Sequence, residues 1–74
     1  MTQKEMIDIA KKIAEDNNWF WVEPAKVFPQ RKWIFFGKIQ YWEVKSNAEG
    51  TGATVIVWFD AETSKVVKQN YIPR

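Results

Sequence analysis

The sequence contains no cysteine and no histidine, and only three glycines and three prolines among 74 residues. Without cysteine the chain cannot form a disulfide framework, and this absence agrees with a cytoplasmic location. The usual ligands of zinc and transition metals are also missing, so we expect no metal and no other cofactor. No apolar run approaches the roughly 20 residues of a membrane span, and the polar start does not resemble a secretory signal. We therefore expect a cytoplasmic protein without a membrane partner.

Aromatic residues are abundant instead, with five Trp, five Phe and two Tyr. Each ring can bury about 150–250 Å², which matters for a chain near the lower size limit for independent folding. The length predicts one domain over residues 1–74.

The beginning of the chain predicts an amphipathic helix over residues 3–17. Thr2 and Glu5 have the spacing of a capping box, in which each side chain accepts a hydrogen bond from the other's backbone. Asn17 and Asn18 tolerate the left-handed conformation that ends a helix. Apolar residues recur at helical spacing on one side: Met6, Ile7, Ile9, Ala10, Ile13 and Ala14.

The stretch after the helix has no clear period. An aromatic run at 19–22 predicts a sheet edge or an extended connector, because a proline follows it closely. A short strand is predicted over 25–28, and the composition of residues 29–32 indicates a turn. A second apolar run follows at 33–36, and Gly37 marks a bulge or a tight turn.

Three later segments predict an antiparallel meander. Residues 38–46 alternate in polarity, 53–60 are rich in β-branched and aromatic residues, and 66–72 form the last strand. A hairpin turn joins the last two strands, where the Asp60 carboxylate can accept a backbone hydrogen bond. We predict an α+β fold, with the N-terminal helix packed on one face of a three- to four-stranded antiparallel sheet.

One helix covers only one face of such a sheet. We assign the covered face to Trp42, Val44, Val55, Val57 and Phe59, and the second face to Ile39, Tyr41, Ile56 and Trp58. The opposite assignment stays open, since residues 53–60 are apolar on both faces. The second face needs a partner, a dimer or another part of the chain to cover it. We favour cover by residues 19–36.

The sequence carries no catalytic signature. Asp60 and Glu62 are the most obvious pair of carboxylates, but both lie in a predicted turn exposed to water, so formation of the turn is the better interpretation of the pair. No phosphate-binding glycine motif is present. We expect a protein that is not an enzyme.

The second face predicts binding of a protein or a peptide, although the sequence leaves the molecular function largely undetermined. Trp and Tyr often anchor protein interfaces, so Tyr41, Ile56 and Trp58 are the candidate contacts, with Lys45 at their rim. Burial of these residues in a second small core or in a homodimer is an equally good interpretation. We expect a monomer or a weak homodimer.

The alternative is binding of single-stranded nucleic acid. Tyr41 and Trp58 would provide a stacking platform, with Lys38, Lys45 and Lys68 available for phosphates. Residues 24–45 carry five basic side chains and one acidic one. The small overall net charge of +2 argues against this alternative.

Several short motifs resemble those of known families: Ile9-Ala10-x-x-Ile13-Ala14, Trp42-Glu43-Val44, Gly50 and Gly52, and Val55-x-Val57-x-Phe59-Asp60-Ala61-Glu62-Thr63 followed by Ser64-Lys65-Val66. The pattern is similar to PepSY-like bacterial domains, whose last hairpin commonly reads Val-Asp-Ala-x-Thr-Gly-x-Val; here Ser64 stands in place of the glycine. With Trp33 and Gly37 it also resembles small bacterial immunity-type proteins with a cystatin-like sheet. Either resemblance implies a non-enzymatic protein binder, inhibitory or toxin-neutralising.

Overall fold

A computed structural model describes residues 1–31, 37–48, 50 and 52–73. The elements are α1 (Gln3–Asp16), β1 (Lys26–Arg31), β2 (Ile39–Lys45), β3 (Thr54–Asp60) and β4 (Val66–Ile72). Neighbouring strands are antiparallel, and their order in the sheet is β1-β2-β3-β4. The predicted α+β class, with a helix on one face of an antiparallel meander, is confirmed with four strands.

The predicted capping box starts α1. The backbone N–H of Glu5 donates to Thr2 Oγ1 at 3.1 Å, and the N–H of Thr2 donates to Glu5 Oε1 at 3.0 Å. The hydrogen bond from the Thr2 backbone holds the pKa of Glu5 below its ordinary value. The helix ends at Asp16, one residue before the predicted end, with Asn17 as C-cap and Asn18 left-handed at φ 58°.

The core lies between α1 and one face of the sheet. The helix contributes one flexible residue, Met6, and two small ones, Ala10 and Ala14, to this core. Trp42 packs at its side, and the buried sheet residues are Val44, Val55, Val57 and Phe59. The predicted covered face is therefore confirmed. In the described part of the chain, α1 approaches β1, β2 and β3 but does not reach β4.

The edge strand β1 corrects the prediction of a turn over residues 29–32. Pro29, Gln30 and Arg31 are strand residues, whereas residue 32 and the apolar run 33–36 lie outside the described ranges. Pro29 pairs with Trp42 at a position where its backbone faces away from β2. Gln40 O accepts a hydrogen bond from Ala61 N, so the backbone N–H and C=O of Gln40 face β3. Because this direction alternates along a strand, those of Trp42 also face β3, and its partner Pro29 faces away from β2. The proline therefore removes no hydrogen bond from the sheet.

The hairpin turn between β3 and β4 forms as predicted. Asp60 Oδ1 accepts backbone hydrogen bonds from Glu62 at 2.8 Å and from Thr63 at 3.0 Å. The bonds from Thr63 and Glu62 hold the pKa of the Asp60 carboxyl below its ordinary value. Ser64 is left-handed, with φ 63°, in the position where the resembled families usually have glycine.

Ser64→Gly is expected to stabilise the fold by about 0.5–1 kcal/mol, because glycine adopts positive φ without the steric penalty of a Cβ. Urea unfolding followed by tryptophan fluorescence measures this change. Thr63→Gly is the control and should be destabilising, since Thr63 is not left-handed and its Oγ1 accepts from Lys65 N at 3.3 Å. Equal effects of the two glycines would contradict this account of Ser64.

Candidate functional site

The sheet surface opposite α1, called the open face below, contains all four residues predicted to bind a partner. In the register between β2 and β3, Lys45 lies directly across from Ile56, and Glu43 lies across from Trp58. Because side chains alternate along a strand, these pairs point away from the buried valines. The open face includes Lys26, Phe28, Tyr41, Glu43, Lys45, Ile56, Trp58 and Lys68 and, by the same register, Gln30 and Asn70.

The expectation that residues 19–36 cover this face is wrong for residues 19–31. Trp19 and Trp21 pack against the core on the helix side, and Trp19 also stacks on Tyr71, with ring centroids 5.6 Å apart. Residues 26–31 extend the sheet as β1 instead of crossing it. Residues 32–36 lie outside the described ranges. The described elements therefore leave the open face uncovered.

Trp58 lies at the centre of the open face and is held on three sides. Its Nε1 donates to Glu43 Oε2 at 2.7 Å. The ring of Tyr41 lies 5.4 Å away at an interplanar angle of 33°, and the Lys68 Nζ lies 4.8 Å from the Trp58 ring centroid. These contacts join three strands, and they fix the indole while leaving it half-buried.

The charges around this aromatic centre are of both signs. Lys26 and Lys45 are directly opposite each other on β1 and β2. Lys68 adds a third cation from β4, while the Glu43 carboxylate lies within the face itself. An aromatic centre with a mixed-charge rim is a common composition for a protein interface.

The basic segment 24–45 does not form one continuous patch within the described ranges. Lys38 forms an ion pair with Glu62 at 2.9 Å, and this bond raises the pKa of Lys38. Arg31 Nη1 donates to the carbonyl oxygen of Gly37 at 3.2 Å. Of the described basic residues in this segment, Lys26 and Lys45 belong to the open face. Lys38, which the sequence offered as a contact for phosphate, therefore binds the Glu62 carboxylate instead.

An open cavity of about 400 Å³ lies at one end of the sheet. It is lined by Lys38, Ile39, Gln40, Tyr41, Asp60 and Glu62. Its two carboxylates serve local structure, since Glu62 pairs with Lys38 and Asp60 caps the turn. Among residues 1–31, 37–48, 50 and 52–73, no group of three or more acidic side chains is placed to hold a metal ion.

One member and one contact of the site could not be found from the sequence. Phe28 joins the open face because β1 continues through Pro29, where the sequence predicted a turn. The bond from Trp58 to Glu43 depends on the register of two strands. The four predicted contacts, Tyr41, Lys45, Ile56 and Trp58, lie on the same face, as predicted.

Comparison with protein-family models, with curated proteins and with solved structures gives no match. The similarity to PepSY-like and immunity-type domains therefore stays a prediction from the motifs. None of the helices in the described ranges is both long and apolar enough to cross a membrane.

Proposed function

We propose that the protein is a non-enzymatic binding module that holds a protein or peptide partner on its open face. The observation that supports this most is the aromatic and aliphatic centre of that face, Tyr41, Ile56 and Trp58, which no described element covers. Apolar surface of this kind, rimmed by charges of both signs, is typical of protein interaction sites.

The contacts of Trp58 favour a protein partner over single-stranded nucleic acid. Stacking of a base requires a free ring face and a positively charged path for the phosphates. Here Tyr41 and Lys68 already lie against the indole, and the Glu43 carboxylate at 2.7 Å from Nε1 would repel a phosphate. An amide or a hydroxyl of a protein partner, by contrast, can donate to the second oxygen of that carboxylate.

The resemblance to PepSY-like and immunity-type domains suggests the role of such binding. In this proposal, the partner is another protein in the cytoplasm, a peptidase or a toxin, whose activity is inhibited or neutralised when the open face binds it. Rigid aromatic anchors such as Trp58 suit this role, because ordering them on binding loses little conformational entropy.

Trp58→Ala is expected to lower the free energy of unfolding by about 1–2 kcal/mol, because it removes one aromatic pair and one cation–π contact from a half-buried position. Urea unfolding followed by the remaining tryptophans measures this loss. The variant should remain folded at room temperature and should bind the partner at least about tenfold more weakly, as expected for an interface anchor. A loss above about 3 kcal/mol would instead indicate a fully packed second core.

Photo-cross-linking in the host cell tests the proposed face directly. Phe28 on the open face is replaced by p-benzoylphenylalanine, and the control is the same replacement at Phe20, which is 68 % exposed and lies outside the sheet. We expect one protein to be captured from position 28 and not from position 20. The captured protein, once purified, should bind the wild type and lose affinity for Trp58→Ala.

The nucleic-acid alternative is tested by titrating single-stranded RNA and DNA at several salt concentrations while following tryptophan fluorescence. Micromolar binding that weakens steeply with salt, through counterion release, would replace the proposed function with this alternative. Equal capture from positions 28 and 20, or a partner that binds Trp58→Ala normally, would also contradict the proposal.

A further inference from the structure

We propose that the β4 edge of the sheet, residues 66–72, pairs with the same edge of a second copy of this chain. The two β4 strands would run antiparallel about a twofold axis at Gln69 and would join two sheets into one of eight strands. This edge adjoins the open face through Lys68, but it would pair through outward backbone groups and not through the aromatic centre, so the proposal goes beyond the proposed function and can fail independently of it.

The backbone groups of Gln69 and Tyr71 face outward from β4. Val55 directs both its N–H and its C=O toward β2, because its N–H donates to Ser46 Oγ at 2.8 Å and its C=O accepts from Ser46 N at 3.0 Å. Its partner Tyr71 therefore faces away from β3, and by alternation so does Gln69. The outward N–H of Tyr71 donates to the neighbouring Asn70 Oδ1 at 3.0 Å, as expected for a group without a strand partner.

The protection of β4 as an edge strand is limited to Lys68 and to a bulge at Val67. Its seven residues contain no proline and a single charge, Lys68. Large apolar side chains are exposed along it: Val66 is 37 % exposed, Val67 50 % and Ile72 48 %. The opposite edge, β1, is different, because Pro29 occupies one of its outward positions.

Pairing with a second copy would give hydrogen-bond partners to the outward backbone groups of β4 and would cover its exposed apolar side chains. Gln69 is the middle residue of Val66–Ile72 and faces outward, so an axis at Gln69 pairs the regular residues on either side of it with hydrogen bonds. The bulge at Val67, where β4 has one residue more than β3, makes the two ends of the pairing less regular. Lys68 then lies opposite Asn70 of the second copy, and no two like charges meet. The exposed Val67 of each copy, at the bulge, comes close to Tyr71 of the other, so apolar side chains become covered.

The helix leaves room for this pairing. In the described ranges α1 lies over β1, β2 and β3 and does not extend over β4. A twofold axis perpendicular to the sheet keeps both helices on the same face, with two β4 strands between them. The contact area of a single strand pair is small, so the dimer should be weak, like other interfaces below about 1,200 Å².

Sedimentation equilibrium of the full chain over a wide concentration range tests the proposal. We expect the wild type to dimerise reversibly. Gln69→Glu and Gln69→Lys each place like charges directly across the axis and should raise the dissociation constant at least about tenfold. An equimolar mixture of the two variants should recover dimers of wild-type affinity or better. Gln40→Glu and Gln40→Lys, the same changes at an exposed position on β2, should leave dimerisation unchanged.

Amide hydrogen exchange of the wild type provides a second test that needs no variant. The Gln69 N–H should exchange more slowly as the protein concentration rises, while exposed amides of α1 should not change. A monomer at all concentrations up to about 1 mM would overturn the proposal. Dimers that tolerate both Gln69 variants, or equal weakening by the Gln40 variants, would overturn it as well.

Discussion

Phe59→Ala should lower the free energy of unfolding by about 3–5 kcal/mol, which is the range for removing a large side chain from a packed core. Phe59 is 1 % exposed and is the largest completely buried side chain among the described residues. It lies on β3 under α1, beside the register partner Trp42. A domain of this size has only about 3–5 kcal/mol of stability from its core, so the variant should be largely unfolded at room temperature.

Circular dichroism and urea unfolding at 10–25 °C, with tryptophan fluorescence as the second probe, measure this loss. Phe20→Ala is the matched control. Because Phe20 is 68 % exposed, its removal should change stability by less than about 0.5 kcal/mol. If Phe59→Ala remained within 1 kcal/mol of the wild type, the helix-covered face would not be the main core.

Ser46→Ala should lower the free energy of unfolding by about 1–3 kcal/mol, although it removes only one oxygen atom. Ser46 is fully buried, and its Oγ accepts the backbone N–H of Val55 at 2.8 Å. In the alanine variant, that N–H stays buried and has no acceptor. The free-energy cost of the missing hydrogen bond is larger than the effect of the small change in packing. The same residue also donates its own N–H to Val55 O, so the junction after β2 depends on it.

Urea unfolding gives the loss of stability, and hydrogen exchange locates it. The Val55 amide should exchange much faster in Ser46→Ala than in the wild type, while the amide of Val57 in the middle of β3 should change only with global stability. Ser64→Ala is the control, since the Ser64 hydroxyl bonds no residue in the described ranges and both side chains tolerate left-handed φ equally poorly. Unchanged exchange at Val55 would show that another group accepts its hydrogen bond.

The parts of the fold that local sequence encodes could be predicted. The helix carries its start signal in Thr2 and Glu5 and its end signal in Asn17 and Asn18, all within a few residues of the positions that they determine. The strands β2, β3 and β4 follow from polarity and β-branched composition. Alternation, together with the expectation that the helix covers one apolar face, placed Tyr41, Ile56 and Trp58 on one face.

The parts that depend on distant residues could not be predicted. Pro29 indicated a turn, but a proline fits a strand when its nitrogen faces away from the neighbour, and that direction is determined by the pairing with Trp42. The aromatic run at Trp19 and Trp21 has no period, so its sequence cannot show which side of the sheet it packs on. The bond between Glu43 and Trp58 likewise requires the register between β2 and β3.

The outward-facing nitrogen of Pro29 also limits how far an assembly of these sheets can grow. If two copies join through β4, each end of the eight-stranded sheet is a β1 strand with one hydrogen-bond donor fewer than an ordinary edge. A third copy then meets a blocked edge, so addition stops at two and does not continue into a fibre. One proline, placed where it costs the monomer nothing, would separate a closed dimer from open-ended aggregation.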